Sequence, residues 1–435
     1  MPRKTQRVHE QGQASRHAIL DVTLRIAGER GYVGTTLGDV TRASGLSASS
    51  IYWHFHSKDE LLADALEHGY RRWVAVAPRW AALDIARPRR EALLQQLRAV
   101  SAGLDQEPGF WRMGLLIALE TGPAVGALAR DRFLQVRRAA LDQLEVWWAK
   151  SLATDGPAHL DPGHAKAMAL LTMVTMDGYF LAHESDRETD VEPVLRALAT
   201  GLDAAAQALT AGAASSATAA PAWRTPSAPD GQETEPVDPG GREGGRLRLL
   251  QAAAEVAAES GYEGATISRI CRHAGVSASS LYWHFADKDD LIGAVIEDSY
   301  RAWFAAQPAW LPVRAGASWE TEVHRYLSVS LRSLTARPPF LRIGHLLLLL
   351  RRDDPPRARA TFIAVRDSAE QTSTEWFTAA LGPTVGAGVP AVMSRLMLLS
   401  SDGLFFSNQI DVPTWDVELF IDLVVTMLAA AQEPA

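Results

Sequence analysis

The stretch SASSIYWHF, from Ser47 to Phe55, sets small and hydrogen-bonding side chains side by side, and SASSLYWHF repeats it from Ser277 to Phe285. Ala48, Ser49, Ser50, Tyr52 and His54, with Ala278, Ser279, Ser280, Tyr282 and His284, can enter a DNA major groove without steric conflict. Their serine hydroxyls reach bases or phosphates. Lys58 and Lys288 suit phosphate contacts, as do the two tyrosines. Thr36, like Thr266 in the second stretch, would offer a phosphate both its hydroxyl and its N–H from a helix N-terminus. His54 and His284 have no second His, Cys or acid at ligand spacing in their own segments, so metal binding is not expected of them. There is no phosphate-cradling glycine loop, no GxSxG, no HExxH and no nucleophile with a base at recognisable spacing. Catalysis has no residue to rest on, and no cofactor is expected.

Helices must position these groups. Ser15 can cap a helix through RHAILDVTLRIAGER, with Ile19, Val22 and Ile26 as its buried stripe, ending before Gly31. Leu249, Ala253, Val256 and Ala257 give the counterpart, ending before Gly261. Thr36 then caps LGDVTRAS, Gly45 stops it in the left-handed region, and Ser47 caps ASSIYWHF, in which Trp53 and Phe55 are expected in the core. Lys58-Asp59 opens a longer helix through Trp73. Two short helices joined by a tight glycine turn and braced by a preceding helix form a helix-turn-helix.

The two stretches belong to a duplication. Residues 31–62 lie over residues 261–292 with 17 of 32 positions identical and no gap. Weaker matches continue, Tyr70/Tyr300, Trp73/Trp303, Trp80/Trp310 and Arg112/Arg342 among them, and Asp177-Gly178 pairs with Asp402-Gly403 at an offset of 225. A period of this length means two copies of a domain unit, not a solenoid. Residues 211–245 hold five Pro, six Gly and a single aromatic and read as a flexible linker. The expected domains are 13–73 and 246–303 as DNA-binding heads, with 74–210 and 304–435 as helical bodies.

The motif T-x-x-x-(I/V)-x-x-x-(S/A)-G-(L/V)-S-x-S-S-(I/L)-Y-W-H-F-x-x-K resembles the DNA-binding head of the tetracycline-repressor (TetR) family of one-component regulators. The resemblance covers about 60 residues of each copy. It implies that Thr36, Ala48, Ser49, Ser50, Tyr52, His54 and Lys58, and Thr266, Ala278, Ser279, Ser280, Tyr282, His284 and Lys288, face DNA. The bodies read as runs of helix, roughly 88–105, 109–120, 124–153, 163–184 and 190–209, then 318–336, 339–351, 356–381, 389–409 and 414–431. No useful strand pattern appears, so the fold class is all-α, as two tandem units. The last two helices of each copy are apolar on more than one face, and in the family such helices form the dimer interface. The two copies are therefore expected to dock as a pseudo-dimer within one chain, with a further homodimer of chains open.

An apolar pocket in a body would suit a small lipophilic effector, with Trp111, Arg112, Trp147, Tyr179, His183, Arg342, His345, Trp376 and Phe405 as candidate lining residues. Trp147 and Trp148 are adjacent and are not expected both to face inward, so one of them is expected at a surface or interface. Cys271, the single cysteine, reads as a small packed residue, and RRDDPPR at 351–357 as a solvated junction.

The net charge of −8 does not advertise nucleic acid, so a DNA-binding surface must be local. Residues 1–62 carry eight Lys/Arg against six acids, and residues 246–292 five against six. The first head, with its PRK and Arg7 arm, is thus expected to supply more of the salt-dependent affinity. The N-terminus does not read as a signal peptide, and no apolar run reaches the roughly 18 residues of a membrane span, so a cytoplasmic protein without membrane contact is expected. Three functions fit these residues. The leading one is a ligand-responsive regulator, usually a repressor, on a two-half-site operator in double-stranded DNA. The second is a ligand- or partner-binding scaffold with one head unused for DNA, and the third a helical enzyme acting on a lipophile.

Overall fold

Capping and punctuation set the heads. Thr36 and Thr266 cap their short helices, and Gly45 and Gly275 end them in the left-handed conformation that glycine adopts at little cost. Ser47 and Ser277 cap the next helices, their Oγ atoms accepting the N–H groups of Ser50 (3.2 Å) and Ser280 (3.1 Å).

The computed structural model describes residues 4–76, 80, 87–120, 122, 126–155, 162–185, 190–211, 242–314, 316–334, 337–410 and 416–432, which form eighteen α-helices and no strand. The first head comprises α1 (Lys4–Gly34), α2 (Leu37–Ser44), α3 (Ala48–His54) and α4 (Lys58–Val76). Its body comprises α5 (Arg89–Gln106), α6 (Gly109–Leu119), α7 (Ala127–Leu152), α8 (Pro162–Ser185) and α9 (Glu192–Thr210). The second copy repeats the order: α10 (Arg242–Gly264), α11 (Ile267–Ala274), α12 (Ala278–His284), α13 (Lys288–Ala305), α14 (Trp319–Leu334), α15 (Pro339–Leu349), α16 (Arg357–Leu381), α17 (Val389–Gln409) and α18 (Val417–Ala430).

The first helix departs from expectation at both ends. It begins at Lys4, so Ser15 lies inside it: the run KTQRVHEQGQA is rich in good helix formers, has no proline, and carries its one glycine, Gly12, at a cost of about 1 kcal/mol. The Arg7 arm is thereby a helical extension, while Pro2 and Arg3 fall outside the described residues. The helix also passes Gly31 but bends there, at φ +73°, as α10 bends at Gly261 with φ +67°. Of the expected linker, residues 212–241 lie outside the described residues, and α10 opens at Arg242.

The helices expected to be apolar all round carry the contact between copies. α8 packs along α17, and α9 along α18. At the crossing, a Cβ on Gly178 would overlap the Leu399 carbonyl oxygen, and one on Gly403 the Val174 carbonyl oxygen. The glycines of the two Asp-Gly pairs thus let two backbones meet. Beside them, Asp177 takes both Nη groups of Arg137, and Asp402 takes Arg366 (2.6 Å) and His345 Nε2 (3.0 Å). Buried carboxylates without such partners would be strongly destabilising.

Further links join the copies. Arg130 donates to the Gln409 carbonyl (3.3 Å) and its counterpart Arg359 to the Glu184 carbonyl (3.0 Å). The heads meet as well, α1 packing on α10. Among the described helices, α17 is long and apolar enough to cross a membrane by length and composition, contrary to the expectation that no segment is. Two-thirds of its most apolar window is buried against the rest of the molecule, which accounts for that composition.

Trp147 and Trp148 are both buried, at 5% and 0% exposure, so neither is at a surface. Adjacent helical positions differ by only about 100°, so both rings fit within the one buried face of α7. Trp148 donates to Thr172 Oγ1 (3.0 Å) on α8, while Trp80 closes over Trp147 (ring centroids 5.2 Å apart). The 351–357 junction is mostly exposed, as expected, with Arg351 and Pro356 as exceptions. Arg351 is half-buried, its N–H donating to the Gly28 carbonyl of the first head (3.0 Å) and its guanidinium beside Glu184 (2.6 Å).

Candidate nucleic-acid interface

α3 and α12 are two turns long, and each buries one face: Ile51 and Phe55 in the first, Leu281 and Phe285 in the second. Residues between them on the helix must point away. Ala48, Ser49 and Tyr52 are exposed, with Ser50 and His54 half-exposed, and Ala278, Ser279, Ser280, Tyr282 and His284 repeat the pattern. Trp53 does not join the core as expected. It is 76% exposed and Trp283 is 73% exposed, because their helical position is opposite that of the buried pair. These exposed tryptophans were not among the candidate DNA-facing residues, although the Ile51/Phe55 spacing held the signal. Each presents a large flat surface next to Tyr52 or Tyr282, suited to sugar and base-edge contact.

Thr36 is exposed at the α2 N-terminus, its Oγ accepting Asp39 N–H (3.1 Å) while its hydroxyl donates to Asp39 Oδ2 (2.7 Å). That hydrogen bond, with Arg30 and Arg42 nearby, outweighs burial and holds the Asp39 carboxyl below its ordinary range. Thr266 caps α11 through Arg269 N–H (3.4 Å). The first head therefore sets an anion, and the second a cation, beside the same threonine, a local order opposite to that of the heads' net charges.

Lys58 and Lys288 are turned inward. Lys58 Nζ donates to the Val33 carbonyl (3.3 Å) and lies over the Tyr32 ring, and Lys288 Nζ donates to the Tyr262 carbonyl (3.1 Å) over the Tyr262 ring. Burial lowers both ammonium pKa values. These lysines cap the bent ends of α1 and α10, and phosphate contact would require them to leave those carbonyls. Burial, with Arg16 nearby, lowers the His54 pKa as well, favouring its neutral form.

The next residue couples head to body. Asp59, at the start of α4, accepts the N–H groups of Leu128 (2.9 Å) and Ala129 (3.0 Å) at the α7 N-terminus. Asp289 accepts Arg357 N–H (3.2 Å) at the start of α16. In both copies a head carboxylate therefore caps a body helix, the favourable placement for a negative charge.

The candidate effector residues divide. Trp111 lines a cavity of about 580 Å³ in the first body, together with Tyr70 and Trp73 of α4. Tyr179 and His183 line a second cavity of about 400 Å³, between α8 and α9 of the first copy and α16 and α17 of the second. The other candidates line neither, nor the cavity of about 100 Å³ in the second body. Arg112 is held by Glu184 (3.0 Å), Arg342 donates across to the Leu119 carbonyl (2.7 and 2.9 Å), and His345 and Phe405 are packed beside Asp402. Trp376 donates to the Leu311 carbonyl (2.8 Å), and Trp147 lies behind Trp80. Their polar groups meet protein partners, which composition alone does not reveal. Cys271 is a packed residue at 6% exposure, and no cluster of three His, Cys, Asp or Glu suits a metal among the described residues.

Known proteins match the chain at these heads. The sequence model of the family described as bacterial regulatory proteins, tetR family, matches residues 19–65 and again 249–295. HTH-type transcriptional regulator AcrR of Shigella flexneri is 39% identical over 67 residues, 15% of this chain and 30% of its own length. UidR of Escherichia coli K12 is 41% identical over 58 residues, covering 13% and 30%. TtgR of Pseudomonas putida is 36% identical over 61 residues, covering 14% and 29%. The chain thus spans about 30% of the length of these relatives. The two matches fall in register on two capped, identically exposed helix-turn-helix units, so the chain carries the tetR-family DNA-binding domain in tandem.

Proposed function

We propose that this protein is a cytoplasmic, ligand-responsive DNA-binding transcriptional regulator, a repressor in its simplest form, and not an enzyme. One chain acts as a pseudo-dimer whose α3 and α12 enter successive major grooves of one operator, roughly 34–36 Å apart. The observation that carries this reading is the pair of identically exposed faces, Ser49-Tyr52-Trp53 and Ser279-Tyr282-Trp283, on heads whose first helices pack together. The α8/α17 and α9/α18 contacts stand where a dimer interface of two separate chains would.

Response to an effector follows from α4. Its N-terminal Lys58 and Asp59 hold the head and cap α7, while its C-terminal Tyr70 and Trp73 line the body cavity. A molecule in that cavity that favours one tilt of α4 shifts the head, and shifts operator affinity by its differential affinity for the two tilts.

The test is a binding series with duplex DNA selected from a random pool by the full chain. Tyr52→Ala/Trp53→Ala and Tyr282→Ala/Trp283→Ala are each expected to weaken binding ten- to thirtyfold, the effect of losing one or two good contacts. A second-head variant that binds as tightly as the parent would instead support the scaffold function with one idle head. Failure to select any duplex would overturn the proposal. Because Ala43/His273, Asp39/Arg269 and Leu46/Val276 differ between heads, the operator is expected to be an imperfect palindrome. Equal or tighter binding to both symmetrised half-site pairs would contradict that.

A further inference from the structure

The two bodies share a plan but differ at the cavity. In the second, Trp303 Nε1 donates to Ser333 Oγ (2.7 Å). Trp310 stacks on Tyr326, with ring centroids 3.8 Å apart, and leans on Trp376 at 4.8 Å. Together these close the space to about 100 Å³, too little for a drug-sized molecule. In the first, the positions equivalent to Ser333 and Tyr326 are Gly103 and Gln96. Trp73 has no serine at that position to bind, and Trp80 meets the Trp147 ring edge-on. Position 111 adds a tryptophan where the second copy has Leu341, and Trp73 meets Trp111 edge-on at 5.8 Å. About 580 Å³ remains open.

Neither Trp73 Nε1 nor Trp111 Nε1 has a hydrogen-bond partner, although both atoms are buried. An unmade buried hydrogen bond of this kind costs about 1–3 kcal/mol, and no bond holds either ring in its orientation. Much of the rest of the wall is apolar, with Met173, Met176, Leu144 and Ala140, and Gln143 and Thr172 add uncharged polar groups. The one charged lining residue, Arg71, has its guanidinium on Glu67. The wall therefore offers largely apolar surface, two buried indole donors without a partner, and no uncompensated charge.

We propose that effector sensing is confined to the first copy. Its cavity takes one uncharged, largely apolar molecule per chain, bearing hydrogen-bond acceptors for Trp73 and Trp111, while the second body is a closed counterpart that binds none. This rests on the effector response proposed above, but its test uses no DNA, so each can fail alone.

The probe is prodan, an uncharged naphthyl ketone whose emission reports its surroundings, titrated into the full chain by fluorescence and calorimetry. One prodan per chain is expected, while none or two would overturn the proposal. Ala140 and Ala369 are equivalent lining residues of the two cavities. Ala140→Phe should abolish binding and Ala369→Phe should leave it unchanged, and the reverse result places the site in the second copy. Independently of any fold change in those variants, the analogue lacking the ketone should bind the parent about tenfold more weakly. That gap should close in Trp73→Phe/Trp111→Phe, and a gap that persists there would overturn the assignment of the donors.

Discussion

Replacing both Gly178 and Gly403 with alanine lowers unfolding stability by about 3 kcal/mol or more and abolishes operator binding. In an isolated helix the change would help, since alanine is better than glycine by about 1 kcal/mol. Here each added methyl meets a backbone carbonyl oxygen of the opposite helix, Leu399 for one and Val174 for the other. A carbonyl cannot rotate aside as a flexible side chain can, so α8 and α17 must move apart. Overpacking of this kind costs about 1–3 kcal/mol per site and sometimes more. Both sites lie in one crossing, so the costs are not expected to add simply. The separation also disturbs the neighbouring Arg137–Asp177 and Arg366–Asp402 pairs. Urea unfolding is the measurement, with Gly388→Ala as control: that glycine opens α17 with nothing near its missing Cβ, and its replacement should leave the midpoint unchanged. A double variant as stable as the parent would mean that the two copies do not meet at these glycines.

That crossing shows what the sequence could and could not supply. The repeated Asp-Gly was visible at once, and so were the helices around it, because most body helices are periodic runs with Gly or Pro near their ends. The heads were legible for the same reason: caps at Thr36 and Ser47 and a stop at Gly45 are local chemistry. Trp53 was readable in principle, since Ile51 and Phe55 one turn apart fix the buried face of a two-turn helix, but an aromatic residue invites assignment to a core. Trp147 and Trp148 could not be settled from their adjacency, because burial of both depends on α8 and on Trp80, which is far away in sequence. Arg351 looked solvated for a related reason, its partners Gly28 and Glu184 belonging to the other copy. Among the candidate effector residues, the charged ones are those that meet protein partners on other helices. Arg112, Arg342 and His345 satisfy one another's helices, whereas the cavity wall is made of Met, Leu and Trp that look like any core.

Glu120 is the residue least visible in the sequence, and stability should depend on its protonation. It ends α6, is 2% exposed, and its Oε2 accepts the N–H groups of Tyr32 (3.0 Å) and Val33 (3.2 Å) just past the bend at Gly31. Its Oε1 also lies close enough to Gly261 that a Cβ there would stand only 2.7 Å away. One carboxyl therefore sits between the bent ends of both first helices, and the second copy has Leu350 at the equivalent position. Burial pushes its pKa from 4.5 up to about 7, against the opposing pull of the two N–H groups and of Lys58. The folded protein thus keeps this proton up to about pH 7, while the unfolded chain releases it near 4.5. Between those values the folded state binds more protons, so rising pH lowers stability across the window, by about 3 kcal/mol in all. Glu120→Gln keeps an acceptor for Tyr32 and Val33 and cannot ionise. It should match the parent at pH 5 and exceed it by about that amount at pH 8, with urea unfolding at each pH as the measurement. Parent and variant differing equally at both pH values would mean that this carboxyl carries the same charge throughout. The position also matters for DNA. Above pH 7 the new anion lies between the two heads, where Glu263 already stands beside Gly34. The parent, but not Glu120→Gln, should then lose operator affinity as pH rises through 7.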